Sequence, residues 1–261
     1  MRRLHLFEFQ DLPWLPRMMR HTITDLLGRT IELLRLYHPI LPQLAAALRA
    51  SGEREILDLC SGGGGPVPGL RRGLQEVHGL DVAVRLSDIF PNEAALGGIA
   101  ARDEAVTVVP TPVDATRVPP ELPGFRTMFS CLHHFRPATA AAILRDAWDR
   151  GRGIGVFEIT ERSLAGVAPA LAGPLVAWAL TPFVRPFSWS RLALTYALPV
   201  LPALFMFDGV VSNLRTYTPE ELLALTRPLQ RRDYRWEVGR ARHPVLPTTV
   251  SYLLGVPEHA A

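Results

Sequence analysis

From residue 55 onward the chain alternates short continuous apolar runs, bounded by turn residues, with segments whose apolar positions recur three and four apart. The start of residues 56–66, then 82–86, 106–113, 126–131 and 153–160, read as strands; 137–148, rich in alanine and leucine, reads as a helix opening on Pro137. Upstream, the turn-rich Phe9-Gln-Asp-Leu-Pro-Trp-Leu-Pro16 precedes a helix over 17–37, patterned by Ile23, Leu26, Leu27, Ile31, Leu34 and Leu36, and a second helix over 41–50. Downstream, Asp208-Gly-Val-Val-Ser-Asn-Leu-Arg215 breaks the pattern. Thr218 as N-cap, Pro219 in the first turn and Glu221 completing a capping box restart it as a helix to about residue 227. Residues 234–238 and 250–255 predict two last strands on either side of a proline-rich loop.

One segment departs from this rhythm. Residues 164–184 carry no charge, and neither do 192–207; between them lies the basic, Trp-containing stretch 185–191. The pattern predicts two hydrophobic helices joined by a polar turn. Length alone would permit a membrane span, but Pro169, Pro174, Pro182, Pro199 and Pro202 interrupt it. A lid over a substrate or a dimer surface, then shallow membrane attachment, and last a spanning hairpin are the expectations it leaves.

With 261 residues, 48% hydrophobic and 20% charged, the chain can bury one domain's core plus an elaboration. The net charge of +3 comes from arginines scattered along the chain, which gives no nucleic-acid footprint but leaves anionic membranes open as partners. Cys60 and Cys131 form no metal or disulfide framework, so no metal is expected and a reducing, cytoplasmic setting fits, with membrane association as an addition. The apolar run after Met1-Arg2-Arg3 is too short for a signal peptide.

The chemistry gathers at Ile56-Leu-Asp-Leu-Cys-Ser-Gly-Gly-Gly-Gly-Pro66, a strand ending in an acidic residue and a run of glycines before a helix. Glycines suit a turn that needs positive φ and bare backbone against a ligand. A dinucleotide site aims N–H groups at a pyrophosphate and wants no carboxylate beside it; Asp58 suits a cation instead, and Val67 stands where G-x-G-x-x-G needs its third glycine. Asp88 closes the second strand and Asp114 follows the third. Each alone could cap a helix or form a turn; three in register with a glycine loop are harder to dismiss.

These residues resemble the class I S-adenosylmethionine-dependent methyltransferases, whose first motif is matched by Asp58, Gly62 and Gly64, with Cys60 at its first glycine. The resemblance implies a Rossmann-like, doubly wound α/β fold with a seven-stranded sheet and an antiparallel last strand, carrying N-terminal helices and the apolar helical insertion. It implies S-adenosylmethionine as cofactor, with Cys60, Ser61, Gly62, Gly64, Ile89, Ala115 and Ser130 along it, Asp88 on the ribose hydroxyls and Asp114 on the adenine amine. Leu-Cys-Ser-Gly-Gly-Gly-Gly-Pro, Ser-Asp-Ile-Phe-Pro-Asn and Asp-Gly-Val-Val-Ser resemble the local signatures of a narrower bacterial group.

The turn Leu132-His133-His134-Phe135 resembles one at the carboxyl edge of many small-molecule methyltransferases, which makes His134, ahead of His133, the catalytic candidate, with Glu158 a second possible base. An unperturbed imidazole titrates near ~6.5 and can take a proton from a hydroxyl or activated carbon. The Asn/Asp-Pro-Pro-Tyr/Phe signature of exocyclic-amine methylation is absent, and Cys131 reads as a small buried hydrophobe. Arg17, Arg20 and Thr24 share a helix face from which Arg20 could reach the cofactor carboxylate; Trp14, Trp189, Tyr196, Arg215 and Tyr217 are the substrate-contact candidates. Four segments are expected: a helical cap (1–50), the cofactor-binding core (51–162), the insertion with the last helix (163–230) and the closing strands (231–261). The reading is a methyltransferase acting on a small, apolar or lipid-like acceptor, O- or C-methylation favoured, with a homodimer possible. The alternatives are a silent methyltransferase-fold protein docking through its insertion, or an NAD(P)-dependent oxidoreductase.

Overall fold

The protein is described here by a computed structural model, which covers residues 1–91, 93–184 and 187–258. Asn92, in the turn after the second expected strand, and Arg185 and Pro186, at the start of the expected basic turn, lie outside the described residues. In chain order the strands are β1 (Glu55–Asp58), β2 (Ala83–Leu86), β3 (Val106–Val108), β4 (Phe125–Phe129), β5 (Ile154–Glu158), β6 (Tyr234–Arg242) and β7 (Thr249–Pro257). The helices are α1 (Arg17–Leu33), α2 (Leu41–Ser51), α3 (Val67–His78), α4 (Glu93–Ala100), α5 (Pro137–Asp149), α6 (Leu164–Leu171), α7 (Gly173–Leu180), α8 (Trp189–Leu192), α9 (Val200–Arg215) and α10 (Pro219–Thr226).

The chain forms two compact units. Leu36–Ile159 with Thr218–Ala261 make a sheet unit; Met1–Arg35 with Thr160–Tyr217 make a helical unit. In the sheet unit all seven strands form one sheet in the order β3-β2-β1-β4-β5-β7-β6. The first five are parallel, and β7 runs antiparallel between β5 and β6. This is the expected doubly wound sheet. The whole of β5 is buried, as its continuous Ile-Gly-Val-Phe run requires of a strand covered on both faces. Arg126 lies buried in β4, where Asp146 of α5 meets its guanidinium at 2.7 Å, so the charge is compensated inside the core.

One expectation is corrected in extent. The third strand stops at Val108, because Pro110 and Pro112 supply no N–H for a ladder; residues 109–113 continue as a loop. The expected capping box of α10 is present, Thr218 and Glu221 exchanging side-chain and backbone bonds.

In the helical unit, α6 and α7 pack on α9, and α1 packs against α7 and α9. Leu26, Ala177 and Val184 form one buried cluster, and Leu15, Ile23 and Leu204 another. The predicted break at 208–215 is overturned: these residues complete α9. Asp208 sits inside that helix without disrupting it because its carboxylate accepts the backbone N–H groups of Phe9 (2.7 Å) and Gln10 (3.2 Å). The second helix also begins later than the uncharged run suggests. Residues 193–197 form a π turn after α8, and Pro199 precedes the start of α9.

Candidate active site

The carboxyl edge of the parallel strands is laced together by one chain of hydrogen bonds. Asp58, at the end of β1, is buried; its Oδ2 accepts from Ser61 Oγ at 2.7 Å and its Oδ1 from Thr127 Oγ1 on β4 at 2.7 Å. Ser61 N–H donates to Ser87 O, and Ser87 N–H to Asp58 O, so the glycine loop is pinned to the end of β2. Asp88 follows directly. Its Oδ2 accepts the N–H of Gly62 at 2.8 Å and its Oδ1 that of Phe90 at 2.8 Å. Val113 N–H donates to Asp88 O, which brings Asp114 and the buried Ala115 to the same rim. Asp114 is exposed, and its Oδ1 accepts both the N–H and the hydroxyl of Thr116.

Backbone conformation explains the composition of the loop. Cys60, Gly62, Gly64 and Gly65 all have positive φ, and nothing lies within 4 Å of where a Cβ on Gly62 would stand. At Gly64 φ is +93°, and a Cβ would fall 2.0 Å from Ile99 Cδ1. Gly64→Ala should therefore lower stability by about 1–3 kcal/mol, read as a fall in Tm. An unchanged Tm would mean that the loop relaxes without strain. Cys60 adopts, at φ +58°, a conformation glycine takes more cheaply, which accounts for glycine at the matching place in the methyltransferase motif.

Burial pushes the Asp58 carboxyl up to about 7; the Ser61 and Thr127 hydroxyls oppose the rise and the charge of Asp88 adds to it. The Cys131 thiol is held well above its ordinary range by a hydrogen bond with Cys60 and by burial, which suits a packed thiol and not a nucleophile.

At the ends of β4 and β5 stand the remaining candidates. Ser130, with φ +45°, places its Oγ 2.6 Å from the Tyr37 hydroxyl, and its N–H donates to Phe157 O. His133 is buried, with Nδ1 2.8 Å from Glu158 Oε2 and its backbone N–H donating to Oε1 at 3.2 Å. The half-buried His134 ring lies against it, centroids 4.3 Å apart. Glu158 thus orients the loop and the imidazole together.

The sheet unit therefore gathers Asp58, Cys60, Ser61, Gly62, Gly64, Asp88, Asp114, Ala115, Ser130, His133, His134 and Glu158 along one edge, with Ile89 exposed beside Asp88. Arg20, Trp14, Trp189, Tyr196, Arg215 and Tyr217 belong to the helical unit. There the Arg20 guanidinium donates to the carbonyls of Gln10 and Leu12. Arg215 is buried and meets Glu8 at 3.1 Å and Asp11 at 2.6 Å, while Arg3 lies 3.9 Å over the Tyr217 ring. Trp14 and Trp189 are exposed, and the Tyr196 hydroxyl donates to Trp178 O. Sequence reasoning missed Thr127 and Tyr37. The signal for Thr127 was a hydroxyl inside an apolar strand, and for Tyr37 a tyrosine with a single polar atom to satisfy in the core.

No protein-family model and no curated protein matches the sequence. Solved structures do. The plantazolicin methyltransferase BpumL in complex with SAH is similar over 94% of this chain and 92% of that one, at 12% identity and a TM-score of 0.59. The same enzyme with a monoazolic desmethylPZN analog and SAH matches over 91% of this chain and 90% of that one, at 11% identity and a TM-score of 0.56. The CMeT domain of the citrinin polyketide synthase matches over 97% of this chain and 60% of that one, at 13% identity and a TM-score of 0.55. The chain has the fold of the class I S-adenosylmethionine-dependent methyltransferases.

Proposed function

We propose that the protein binds S-adenosylmethionine and transfers its methyl group to a small, apolar or lipid-like acceptor, O- or C-methylation favoured. The observation that carries this reading is the hydrogen-bonded rim on which Asp58, Asp88 and Asp114 follow three successive parallel strands around a positive-φ glycine loop. The donor set fits the cofactor. Asp58 offers a carboxylate to a cationic amino group, and Asp88, though it accepts two backbone N–H groups, keeps lone pairs for two ribose hydroxyls. The open backbone at Gly62 leaves room for a ligand to approach. Neighbours named as enzymes of plantazolicin and citrinin assembly support an acceptor of natural-product size.

Bound S-adenosylmethionine supplies an electrophilic methyl group on a sulfonium. The chain's own part is to hold donor and acceptor in line and to take a proton where the acceptor must lose one. His133 is the base in this reading, with Glu158 accepting from Nδ1–H so that Nε2 carries the lone pair. Calorimetric titration with S-adenosylmethionine, S-adenosylhomocysteine and NADH tests the cofactor. Binding of the sulfur compounds alone is expected; binding of NADH alone would turn the reading to an oxidoreductase. A panel of apolar phenols and activated-carbon compounds, scored by release of S-adenosylhomocysteine, tests the acceptor.

A proton should accompany cofactor binding. With Asp58 raised to about 7, part of the free protein holds a proton there at neutral pH. A cation set beside it favours the ionised form, so binding should release that proton between about pH 6 and 8. The binding enthalpy at neutral pH should then differ between Tris and phosphate, and Asp58→Asn should remove the difference. Equal enthalpies for the unsubstituted protein would detach Asp58 from the ammonium.

A further inference from the structure

We propose that the helical unit docks on the surface of an anionic lipid bilayer through the outward faces of α6 and α7 and the α8 turn. This goes beyond the methyl-transfer reading and does not depend on it. Leu164 to Leu180 contains no charged side chain and, the Trp178 indole N–H aside, no polar one, so these two helices have no hydrophilic face to turn outward. Ala177 of α7 is buried, while Leu171, Leu175 and Trp178, three and four apart, point out, with Leu175 63% exposed. The Trp178 indole donates to Thr195 O, which joins the π turn and the exposed Tyr196 to the same surface; Phe187 and the 78%-exposed Trp189 stack edge-on at 5.1 Å.

Of the twenty-two strongly exposed large hydrophobic residues among the described ones, seventeen fall in the helical unit, which is about a third of the chain. Exposed apolar surface of this extent marks an interaction site. Charge selects the occupant. The helical unit holds ten arginines against six acidic residues, +4, which leaves −1 for the sheet unit out of the total of +3. A second copy would set +4 against +4, whereas an anionic bilayer complements both the charge and the apolar face. All three tryptophans of the unit, Trp14, Trp178 and Trp189, are exposed, as suits the headgroup level. Attachment is superficial. Leu164–Phe183 is long and apolar enough to cross a membrane, but it breaks at Ala172, and both its helices pack on α9, so one face only is offered to lipid.

The 261-residue protein should float with vesicles of equal phosphatidylcholine and phosphatidylglycerol, and at least tenfold more weakly with phosphatidylcholine alone or at raised salt. Leu171→Gln combined with Leu175→Gln should weaken partitioning at least tenfold and leave S-adenosylhomocysteine binding unchanged, while Val77→Gln in the sheet unit should leave both unchanged. No flotation of the unsubstituted protein, or equal flotation of the double variant, would overturn the proposal. So would a homodimer dispersed by the double variant without vesicle binding. Failure of S-adenosylhomocysteine binding in the unsubstituted protein with intact flotation would sink only the methyl-transfer reading.

Discussion

Asp88→Ala should weaken S-adenosylhomocysteine binding about 100-fold. Two hydrogen bonds from ribose hydroxyls to a carboxylate contribute about 1.5 kcal/mol each at the lower end for charged partners, and about 3 kcal/mol corresponds to that factor. The same carboxylate holds the N–H groups of Gly62 and Phe90, so the alanine variant also loosens the glycine loop. Asp88→Asn separates the contributions. It keeps one acceptor oxygen and loses the charge, so a loss of about 10-fold is expected, with the loop partly pinned. Calorimetry gives both constants, and a thermal melt of each variant shows whether the fold survives. An alanine variant that melts normally and binds within about twofold of the unsubstituted protein, a difference of about 0.4 kcal/mol, would remove Asp88 from the cofactor site.

The elements around that site were readable because strand burial and acidic strand ends both leave local marks. β1, β2, β4 and β5 are short apolar-rich runs, interrupted only by Arg85 in β2 and by Arg126 and Thr127 in β4 before their ends, and Asp58 and Asp88 stand where a parallel strand meets its turn. What escaped depends on distant partners. Asp208 and Gly209 look like a helix stop, yet Asp208 is satisfied by backbone from residues 9 and 10, and Gly209 sits against Ala170 of α6 inside the helix. Burial raises the Asp208 carboxyl to about 6, opposed by those two N–H groups, a sign of how far it sits from water. Arg20 and Arg215 likewise show a charge in sequence, but only the fold shows two carbonyls and two carboxylates already engaging them. The glycine loop was legible as a loop. That Cys60 shares its left-handed conformation was not, since nothing in a cysteine announces positive φ.

His133→Ala should lower turnover by a factor of about 100 to 10,000, the range a positioned base contributes, while leaving S-adenosylhomocysteine affinity within about twofold. The assay is release of S-adenosylhomocysteine with the best acceptor of the apolar panel. Glu158 touches no reacting atom in this reading; it is a positioning residue that fixes the tautomer through Nδ1 and the turn through the His133 N–H. Glu158→Gln keeps one acceptor oxygen, so turnover should fall by about tenfold with KM little changed, whereas Glu158→Ala, which releases ring and backbone together, should approach the loss seen in His133→Ala. This graded series distinguishes tautomer control from simple support of the fold, in which both glutamate variants would lose cofactor affinity and melting temperature in parallel with turnover. Added imidazole should restore part of the activity of His133→Gly, since the missing group is a proton acceptor and not a wall of the site. If His133→Ala turns over as the unsubstituted protein does and His134→Ala does not, the base is the half-buried neighbour, and the 2.8 Å contact with Glu158 serves the turn alone.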